Sequence, residues 1–376
     1  MGERRQGSSR TGGRALAVRV DSAGDVLLAG PAVRQLRADV DELHLLVSPS
    51  GAEAAALLPG VDDVWVCDVP WVRAEAAPDD PAVLDRLLAR LRAERYDEVV
   101  VLTSYHQSPL PMALLARWAG VPRVVATSDA FPGALLDVRH RRVPHGDDPG
   151  VGGPHEVEAM CDLVAAGGHP RLGNDRLAVR PVPLVAGLDG PYVVLHPSAS
   201  VPARGIAVDR AAAHAAALAA HGWRVVVTGG PRDVELGRAV TPPGGVDLTG
   251  RTTLRALAGV LAEASAVVVG NTGPAHLAAA VGTPVVSLFA PVVPLERWRP
   301  WGVPAVVLGN QRAGCALSRA RDCPVEGHPC TDVPAEAVVA AVRSLAGEPP
   351  ARRLAPHGSR RRPGAPVGLL VEGRAP

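Results

Sequence analysis

The 376-residue sequence contains no lysine, so all 39 of its basic residues are arginines. Isoleucine occurs once, at Ile206, and asparagine three times, whereas Ala, Gly, Pro, Arg and Val are abundant. Residues with AT-rich codons are depleted, which indicates a GC-rich bacterial genome rather than a special use of arginine. Any contact with phosphate must therefore come from arginine or from backbone amides.

Long apolar runs and targeting signals are also lacking. Residues 1–13 are polar and arginine-rich, without the apolar core of a signal peptide. The apolar run at 267–269 is interrupted by Gly270, Asn271 and Pro274, so no segment has membrane-spanning length. The net charge of +1 predicts no basic surface for nucleic acid. We expect a cytoplasmic protein that does not bind nucleic acid and associates with membranes at most peripherally.

Cysteine is scarce, with five residues in the chain, which fits a reducing compartment. Cys315, Cys323 and Cys330 cluster with His328 and would supply four zinc ligands. The C-x-x-C spacing of zinc knuckles is absent, however, so reduced thiols in a loop are the alternative. For the active site we predict neither a metal nor a cofactor.

The order of apolar and amphipathic segments predicts an α/β fold. Short apolar strands alternate with helices such as the one predicted at 25–37, and the alternation restarts after a proline-interrupted linker at 178–191. This repetition predicts parallel sheets with helices on both faces. We predict two doubly wound, Rossmann-like domains facing across a cleft, at residues 14–183 and 184–346, with disordered ends at 1–13 and 347–376.

The segment VDSAGD, residues 20–25, follows the first predicted strand. Gly24 permits a tight turn, and Asp25 opens the next helix. Open parallel sheets bind ligands beyond the carboxyl ends of their strands, so Asp25 is a candidate general base. The alternative is a carboxylate that caps the helix or complements its dipole. No G-x-G-x-x-G follows this strand, which argues against a dinucleotide-dependent dehydrogenase.

Three loops of the second half carry candidate ligand-binding residues. In the first, Ser198, Ser200 and Arg204 would hold an anion through hydroxyl groups and a bidentate guanidinium. In the second, Asp233 would accept hydrogen bonds from ribose hydroxyls. A solvated loop and a helix cap are the respective alternatives.

The third loop is GNTGPAHL, residues 270–277, between an apolar strand and an alanine-rich helix. Pro274 suits the first helical position, where its missing N–H costs nothing. Thr272 and free backbone N–H groups then stand at the positive end of a helix, which favours phosphate. His276 fits either this site or a semi-buried structural role.

These segments together resemble the heptosyltransferase family, also called glycosyltransferase family nine. The resemblance covers most of residues 14–345, in the same order. Its strings are RVDSAGD, HQSPLPMALLARWAGVP, HEVEAM, HPSAS with a following arginine, TGGPRDVELG and VVVGNTGPAHLAAAVGTPVVSLFAP. It implies a GT-B fold, with an acceptor-binding first domain and a nucleotide-sugar-binding second domain. It also implies inverting, metal-independent transfer from donors such as ADP-heptose.

The resemblance also implies roles for individual residues. Asp25 corresponds to the family's general base, Arg204 to its diphosphate ligand and Asp233 to its ribose-contacting acid. Thr272 and Gly273 correspond to its phosphate-binding turn. The donor site that we predict comprises Ser198, Ser200, Arg204, Asp233, Asn271, Thr272, Gly273 and His276. Two departures stand out: Asn271 where the family often has aspartate, and RGIA at 204–207 where it often has an Arg-Trp-Pro-type sequence.

We therefore expect a glycosyltransferase of cell-envelope glycan biosynthesis that moves a sugar, with heptose as the family's example, from an ADP-sugar or similar donor. Its acceptor would be a glycan, a lipid-linked sugar or a small molecule. Two other functions fit the same architecture: a sugar-nucleotide epimerase, and a non-catalytic nucleotide-sugar-binding protein. The presence of Asp25 favours an enzyme over the last.

Overall fold

The computed structural model describes residues 12–72, 80–142 and 152–349. The chain forms two α/β domains, each built on a six-stranded parallel sheet. The disorder predicted at both ends falls almost wholly outside the described residues. No helix among the described residues is long and apolar enough to span a membrane.

The strands divide evenly between the two sheets. The first sheet contains β1 (Arg14–Arg19), β2 (Glu42–Val47), β3 (Asp63–Val66), β4 (Glu98–Val101), β5 (Arg123–Thr127) and β6 (Val138–His140). The second contains β7 (Tyr192–His196), β8 (Arg224–Val227), β9 (Val246–Asp247), β10 (Ala266–Gly270), β11 (Val285–Leu288) and β12 (Ala305–Leu308).

Twelve α-helices connect and cover these strands within the described part of the chain. Six belong to the first domain: α1 (Ala23–Leu28), α2 (Gly30–Arg37), α3 (Ala52–Leu57), α4 (Pro81–Glu94), α5 (Leu110–Ala119) and α6 (Glu156–Ala166). Six belong to the second: α7 (Val208–Ala220), α8 (Val234–Val240), α9 (Leu254–Ala262), α10 (Gly273–Ala280), α11 (Leu295–Trp298) and α12 (Ala335–Ala346).

Both sheets are wound in the same way. The first has the strand order β3-β2-β1-β4-β5-β6, and the second has the matching order β9-β8-β7-β10-β11-β12. The winding direction therefore reverses between β1 and β4 in one sheet and between β7 and β10 in the other. Ligands of doubly wound sheets bind at the carboxyl ends of the strands flanking this reversal. The predicted α/β class and the doubly wound sheets are confirmed.

The core strands are continuously apolar because helices cover both faces of each sheet. All five residues of β10 are buried, and five of the six residues of β1 are buried. One of the buried residues of β1 is Arg19, which is fully enclosed. A charged side chain in such a strand requires partners, and those partners lie at the cleft.

The single helix predicted at 25–37 is wrong: the segment forms two helices, α1 and α2, which meet at Ala29. Pro31 has no N–H to continue the hydrogen-bond ladder of α1, so the helix axis restarts there. The break leaves Asp25 on a short, separate helix that points into the cleft. Several elements with short or weakly periodic sequence patterns were not predicted, namely α3, α8, α11, β5, β6 and β12.

The two domains also touch away from the cleft. The Glu53 carboxylate of α3 accepts a hydrogen bond from the Leu254 N–H at the start of α9, at 2.7 Å. The linker runs close to α9, where a β-carbon on Gly259 would lie 2.2 Å from the Pro183 carbonyl oxygen. Glycine at 259 thus allows the chain to cross between the domains. The boundary between residues 183 and 184 stays a prediction.

A buried histidine ties the amino-terminal edge of the first sheet together. His169 Nδ1 lies 2.8 Å from Asp39 Oδ2, and its Nε2 lies 2.6 Å from Glu98 Oε2. Glu98 also pairs with Arg123 Nε at 2.8 Å. Burial alone would lower the pKa of His169, but hydrogen bonds and charges of Glu98 and Asp39 outweigh it, so the pKa is raised. The two carboxylates therefore favour the protonated form of His169.

We expect His169→Gln to lower the free energy of unfolding by about 3–5 kcal/mol, because the buried carboxylates of Asp39 and Glu98 lose the imidazolium between them. The raised pKa means that the stabilisation is complete below the unfolded pKa of His and is lost as pH rises through the folded pKa. Urea unfolding at about pH 6 and about pH 9 should show a larger loss at the lower pH. The exposed pair of His221 with Glu336 offers a control, His221→Gln, which should cost under about 1 kcal/mol. Equal losses for both variants would contradict this role.

Candidate functional site

Asp25 lies in the first turn of α1, just beyond the carboxyl end of β1. Its Oδ2 accepts a hydrogen bond from the Ser22 hydroxyl at 2.7 Å. Its Oδ1 accepts from Arg19 Nη2 at 3.2 Å and from the Trp298 indole N–H at 3.3 Å. Trp298 belongs to the second domain, so the Asp25 side chain stands where the two domains meet. About a fifth of it, 21%, is exposed.

Arg19 is the buried hub of this network. Its Nη2 donates to the Ser104 hydroxyl beyond β4 at 2.8 Å, and its Nε lies 3.0 Å from Asp21 Oδ2. The Gln107 side-chain amide donates to the other oxygen of Asp21. The loops after β1 and β4 are thereby joined at the winding reversal of the first sheet. Arg19 was not predicted as a site residue, although an arginine within an apolar strand is a signal in the sequence.

The two carboxylates that share Arg19 differ in their titration. Burial raises the pKa of Asp21 even though Arg19 opposes this. Burial also acts on Asp25, but Arg19 and the hydrogen bond from Ser22 outweigh it, so the pKa of Asp25 is lowered. Neighbouring acids whose pKa values are pushed apart take different roles. Asp25 is the ionised acceptor at the cleft, and Asp21 is its buried companion.

The turn between β10 and α10 faces Asp25 from the second domain. Thr272 is the N-cap of α10, yet its hydroxyl makes no capping hydrogen bond. A β-carbon on Gly24 would lie 3.1 Å from Gly273 Cα and 3.2 Å from His276 Cδ2. The backbones of α1 and α10 therefore approach closely at two glycines. A Thr272 hydroxyl that is not used for capping, next to a helix N-terminus, is suited to binding an anion.

His276 is buried behind this turn and is uncharged at neutral pH. Burial lowers its pKa to about 4, although Asp25 acts in the opposite direction. Its Nδ1 is enclosed and has no hydrogen-bond partner among the residues that the structure describes. A neutral imidazole with an unused nitrogen can either donate to or accept from a bound ligand. Its predicted place in the donor site stays a prediction.

Arg204 ends a short 3₁₀ turn, Pro202–Arg204, beyond β7. Burial lowers the pKa of its guanidinium, and Asp25 partly offsets this. Its Nε is enclosed without a hydrogen-bond partner in the described part of the chain. A cation that is partly desolvated and incompletely paired attracts an anionic ligand. Gly24, the neighbour of Asp25, lies against His276, and Gly270 lies against the Arg204 backbone. The β10–α10 turn therefore brings Asp25, His276 and Arg204 into one region.

The cysteine-containing loop supports Arg204 from behind. The Ala203 N–H donates to the Arg321 carbonyl at 2.9 Å, and His328 Nε2 lies 3.1 Å from the Gly205 carbonyl oxygen. Cys330 Sγ lies 3.8 Å from His328 Nδ1. Among the described residues, no group of three or more His, Cys, Asp or Glu side chains is arranged to hold a metal ion. The cysteines are free thiols, including Cys315 and Cys323.

The remaining predicted residues of the second sheet lie on neighbouring loops. Ser198 Oγ lies 3.5 Å from His196 Nε2, and burial lowers the pKa of His196 to about 4. Ser200 is exposed. Asp233 Oδ2 accepts from the Gly230 N–H at 2.7 Å. One oxygen of Asp233 thus stabilises its own 3₁₀ turn, whereas Asp233 makes no side-chain capping hydrogen bond to the next helix, α8.

The Asn271 side chain hydrogen-bonds to the backbone just beyond β11. Its Nδ2 donates to the Ala290 carbonyl at 3.1 Å, and its Oδ1 accepts from the Ala290 N–H at 3.0 Å. An aspartate could accept from that N–H but could not donate to the carbonyl. This pairing gives asparagine at 271 a structural reason. It also ties the β10–α10 turn to the segment after β11.

Comparison with known proteins decides the family. The sequence profile of glycosyltransferase family 9 (heptosyltransferase) matches residues 84–328, which is well over half of the chain. The chain belongs to glycosyltransferase family 9. The matched span contains all the candidate donor residues of the second domain but not Asp25. The assignment of Asp25 therefore depends on its geometry.

Named relatives agree with this family. Lipopolysaccharide heptosyltransferase 3 of Escherichia coli is 34% identical over 122 residues, covering 31% of this chain and 36% of the relative. The match thus spans about a third of the curated relative's length. A family 9 glycosyl transferase structure from Veillonella parvula has a TM-score of 0.68 at 17% identity, covering 89% of this chain and 97% of that one.

Two further solved structures show the same fold. The E. coli ADP-heptose LPS heptosyltransferase II has a TM-score of 0.65 at 20% identity, covering 88% of this chain and 98% of that one. The E. coli heptosyltransferase WaaC, solved with ADP-2-deoxy-2-fluoro heptose, has a TM-score of 0.64 at 20% identity, with coverages of 88% and 99%. The family 9 chain thus has the GT-B fold that its sequence predicted.

Gly270 offers a test of how the donor-facing loops are assembled. A β-carbon there would lie 2.1 Å from the carbonyl oxygen of Arg204, which is backbone and cannot swing aside. Gly270→Ala should lower the free energy of unfolding by about 1–3 kcal/mol, the usual cost of overpacking. At the control position, Gly314, the nearest atom would be 3.6 Å away, so alanine should fit there. Chemical denaturation measures both; equal stability of the two variants would show that Arg204 is not packed against Gly270.

Proposed function

We propose that this chain is an inverting, metal-independent glycosyltransferase. It would move a sugar from a nucleoside-diphosphate donor, with ADP-heptose as the first candidate, to a hydroxyl group of an acceptor. The observation that carries the proposal is the convergence of Asp25, from the first sheet, with Arg204 and the Thr272–Gly273 turn, from the second. A base and an anion site thereby face each other across the cleft. Relatives named as ADP-heptose enzymes support the choice of donor.

In this mechanism the second domain holds the donor. Arg204 and the N-terminus of α10 meet the diphosphate, and Thr272 adds a hydroxyl donor. As the bond to the anomeric carbon breaks, negative charge grows on the departing diphosphate. Preorganised positive groups stabilise that charge most in the transition state. Because protein groups supply this charge, the proposed reaction needs no metal. Ser198, Ser200, Asp233, Asn271 and His276 complete the proposed donor site.

Asp25 would take the proton from the acceptor hydroxyl. Its lowered pKa keeps it ionised throughout the neutral range. An ionised carboxylate paired with Arg19 is a weak base towards an ordinary alcohol. The hydroxyl becomes acidic as its oxygen bonds to the electron-poor anomeric carbon, so proton transfer accompanies or follows attack. The hydrogen bonds from Ser22 and Trp298 orient the carboxylate for that transfer.

The acceptor would occupy a cavity of about 310 Å³ near the carboxyl ends of β1 and β4. Its lining includes Trp71, His106, Gln107, Ser108 and Met112. An aromatic ring beside polar side chains suits the mixed apolar and hydroxylated faces of a sugar. Gln107 connects the cavity to the Asp21–Arg19 network. The acceptor's hydroxyl would therefore be presented on the side of the site where Asp25 lies.

The product decides between transfer and its alternatives. We expect the protein, incubated with ADP-heptose and a bacterial extract, to form a new glycoconjugate together with ADP, seen by mass spectrometry. An epimerised donor without ADP release would instead indicate the epimerase alternative. An unchanged donor that still binds would indicate a non-catalytic binding protein. Membership in a glycosyltransferase family favours the first outcome.

Two substitutions separate catalysis from donor binding. Asp25→Asn should lower turnover by about two to four orders of magnitude, the range for loss of a general base. It should change the ADP dissociation constant by less than about two-fold, because the protein groups proposed to bind the diphosphate lie on the second domain. Arg204→Ala should weaken ADP by about 1.5–3 kcal/mol, the value of a charge-assisted hydrogen bond. It should also slow turnover, since the same arginine meets the growing charge.

Calorimetry with ADP and initial-rate measurements test these expectations. Arg238→Ala is a matched control, because Arg238 is an exposed arginine of the second domain that pairs with Glu235 on the same helix. It should leave ADP affinity and turnover unchanged. An Asp25→Asn enzyme with normal kinetics would place the base elsewhere. Unchanged ADP affinity in Arg204→Ala would remove the arginine from the diphosphate site.

A further inference from the structure

A segment of the second domain reaches across the cleft onto the first. We call residues 295–301, which comprise α11 and the three residues after it, the strap. His155 stacks on Trp301, with ring centroids 4.4 Å apart and planes 28° apart. His155 Nε2 also lies 2.9 Å from the Arg299 carbonyl oxygen. The strap is therefore anchored at the start of α6, where the segment HEVEAM begins.

A buried ion pair forms the second anchor. Arg297 Nη1 lies 3.4 Å from Glu156 Oε1, and each of the two side chains is only 2% exposed. The Arg297 guanidinium also lies 4.7 Å from the centroid of the Tyr105 ring. A β-carbon on Gly153 would lie 2.1 Å from Arg297 Nη2. Arg297 is thus enclosed by a carboxylate, an aromatic face and a glycine backbone, all from the first domain.

The Arg297 anchor is connected to Asp25 through Tyr105 and Trp298. The ring of Tyr105 contacts that of Trp298 at a centroid distance of 5.8 Å. Trp298 follows Arg297 in the strap, and its indole N–H donates to Asp25 Oδ1 at 3.3 Å. The position of that indole therefore depends on where Arg297 sits. A buried ion pair seldom adds much net stability, because desolvation offsets the attraction between the charges. The presence of the ion pair therefore needs an explanation other than stability, and the orientation of Trp298 supplies one.

Resting on the proposed function, we propose that Glu156 and Arg297 are positioning residues for the transfer reaction. Their ion pair seats the strap so that Trp298 hydrogen-bonds Asp25 across the domain boundary. The base is thereby oriented only when the donor-binding domain is closed on the first. Neither residue touches the reacting atoms; both act through Trp298.

The charge on Glu156 makes this arrangement sensitive to pH. The charged groups around it are Arg19 on β1, Asp25 on α1, Arg142 beyond β6 and Arg297 on the strap. Burial raises the pKa of Glu156 to about 7, against the opposing effect of Arg19 and Arg297. Protonation below that value removes the carboxylate charge that holds Arg297. We expect turnover of the wild type to rise as pH increases through about 7.

The test compares Glu156→Gln, Trp298→Phe and the double variant. Each single change should lower turnover by about ten-fold or more, since a small misplacement of a catalytic group is costly. ADP affinity should stay within about two-fold. The double variant should be no slower than the worse single variant, because both act along one route. The rise in turnover near pH 7 should disappear in Glu156→Gln. A merely structural role predicts lower melting temperatures with additive or absent effects on turnover.

A second measurement needs no substrate. The fluorescence of Trp298 is obtained as the difference between proteins with and without the Trp298→Phe change, and its quenching by acrylamide is measured. We expect this quenching to increase at least about two-fold when Glu156→Gln releases the strap. Glu53→Gln is the matched control, because it removes another first-domain carboxylate that contacts the second domain without touching the strap. It should change neither quenching nor turnover. Unchanged quenching in Glu156→Gln, or additive losses of turnover, would overturn the positioning role. A wild type without transferase activity would contradict the proposed function separately.

Discussion

The close approach of Gly24 and Gly273 is the constraint on which the site depends. Each glycine lies in the first turn of a helix. That helix follows a strand at which the winding of its sheet reverses. Because neither has a side chain, the backbones of α1 and α10 come together across the domain boundary, and a β-carbon on Gly24 would already crowd Gly273 and His276. This contact turns two separate sheet edges into one cleft. It sets Asp25, the proposed base, opposite the β10–α10 turn, the proposed anion site.

Charge in that cleft is distributed unevenly, and the distribution follows from burial. Arg19 is fully enclosed and pairs with both Asp21 and Asp25. Asp25 remains partly exposed and ionised, whereas Asp21 is kept away from solvent. On the opposite side, Arg204 Nε has no hydrogen-bond partner among the described residues. In the proposed function, a bound diphosphate would complete the pairing of Arg204.

Segments outside the two reversals also contribute, by holding these groups in place. The cysteine-containing loop contacts Ala203 and Gly205 on either side of Arg204, and Asn271 joins the β10–α10 turn to Ala290. The strap carries Trp298 to Asp25, with Glu156 and His155 as its anchors. Each support comes from a part of the chain remote from the group it holds. The site is thus a property of the closed pair of domains rather than of either sheet.

Local sequence determined much of this protein. Strand and helix periodicity predicted both doubly wound domains, and the segments VDSAGD and GNTGPAHL identified two strand-to-helix turns, because glycine, proline and capping residues act over a few neighbours. The break at Pro31 was equally local but was overlooked within an apolar helical pattern. Tertiary structure alone decided the partners of the charged groups. Ser104 lies 85 residues from Arg19, Arg297 lies 141 residues from Glu156, and Trp298 lies 273 residues from Asp25. No periodicity reports such pairings, because the burial that makes each of them necessary arises only when the sheets and domains pack together.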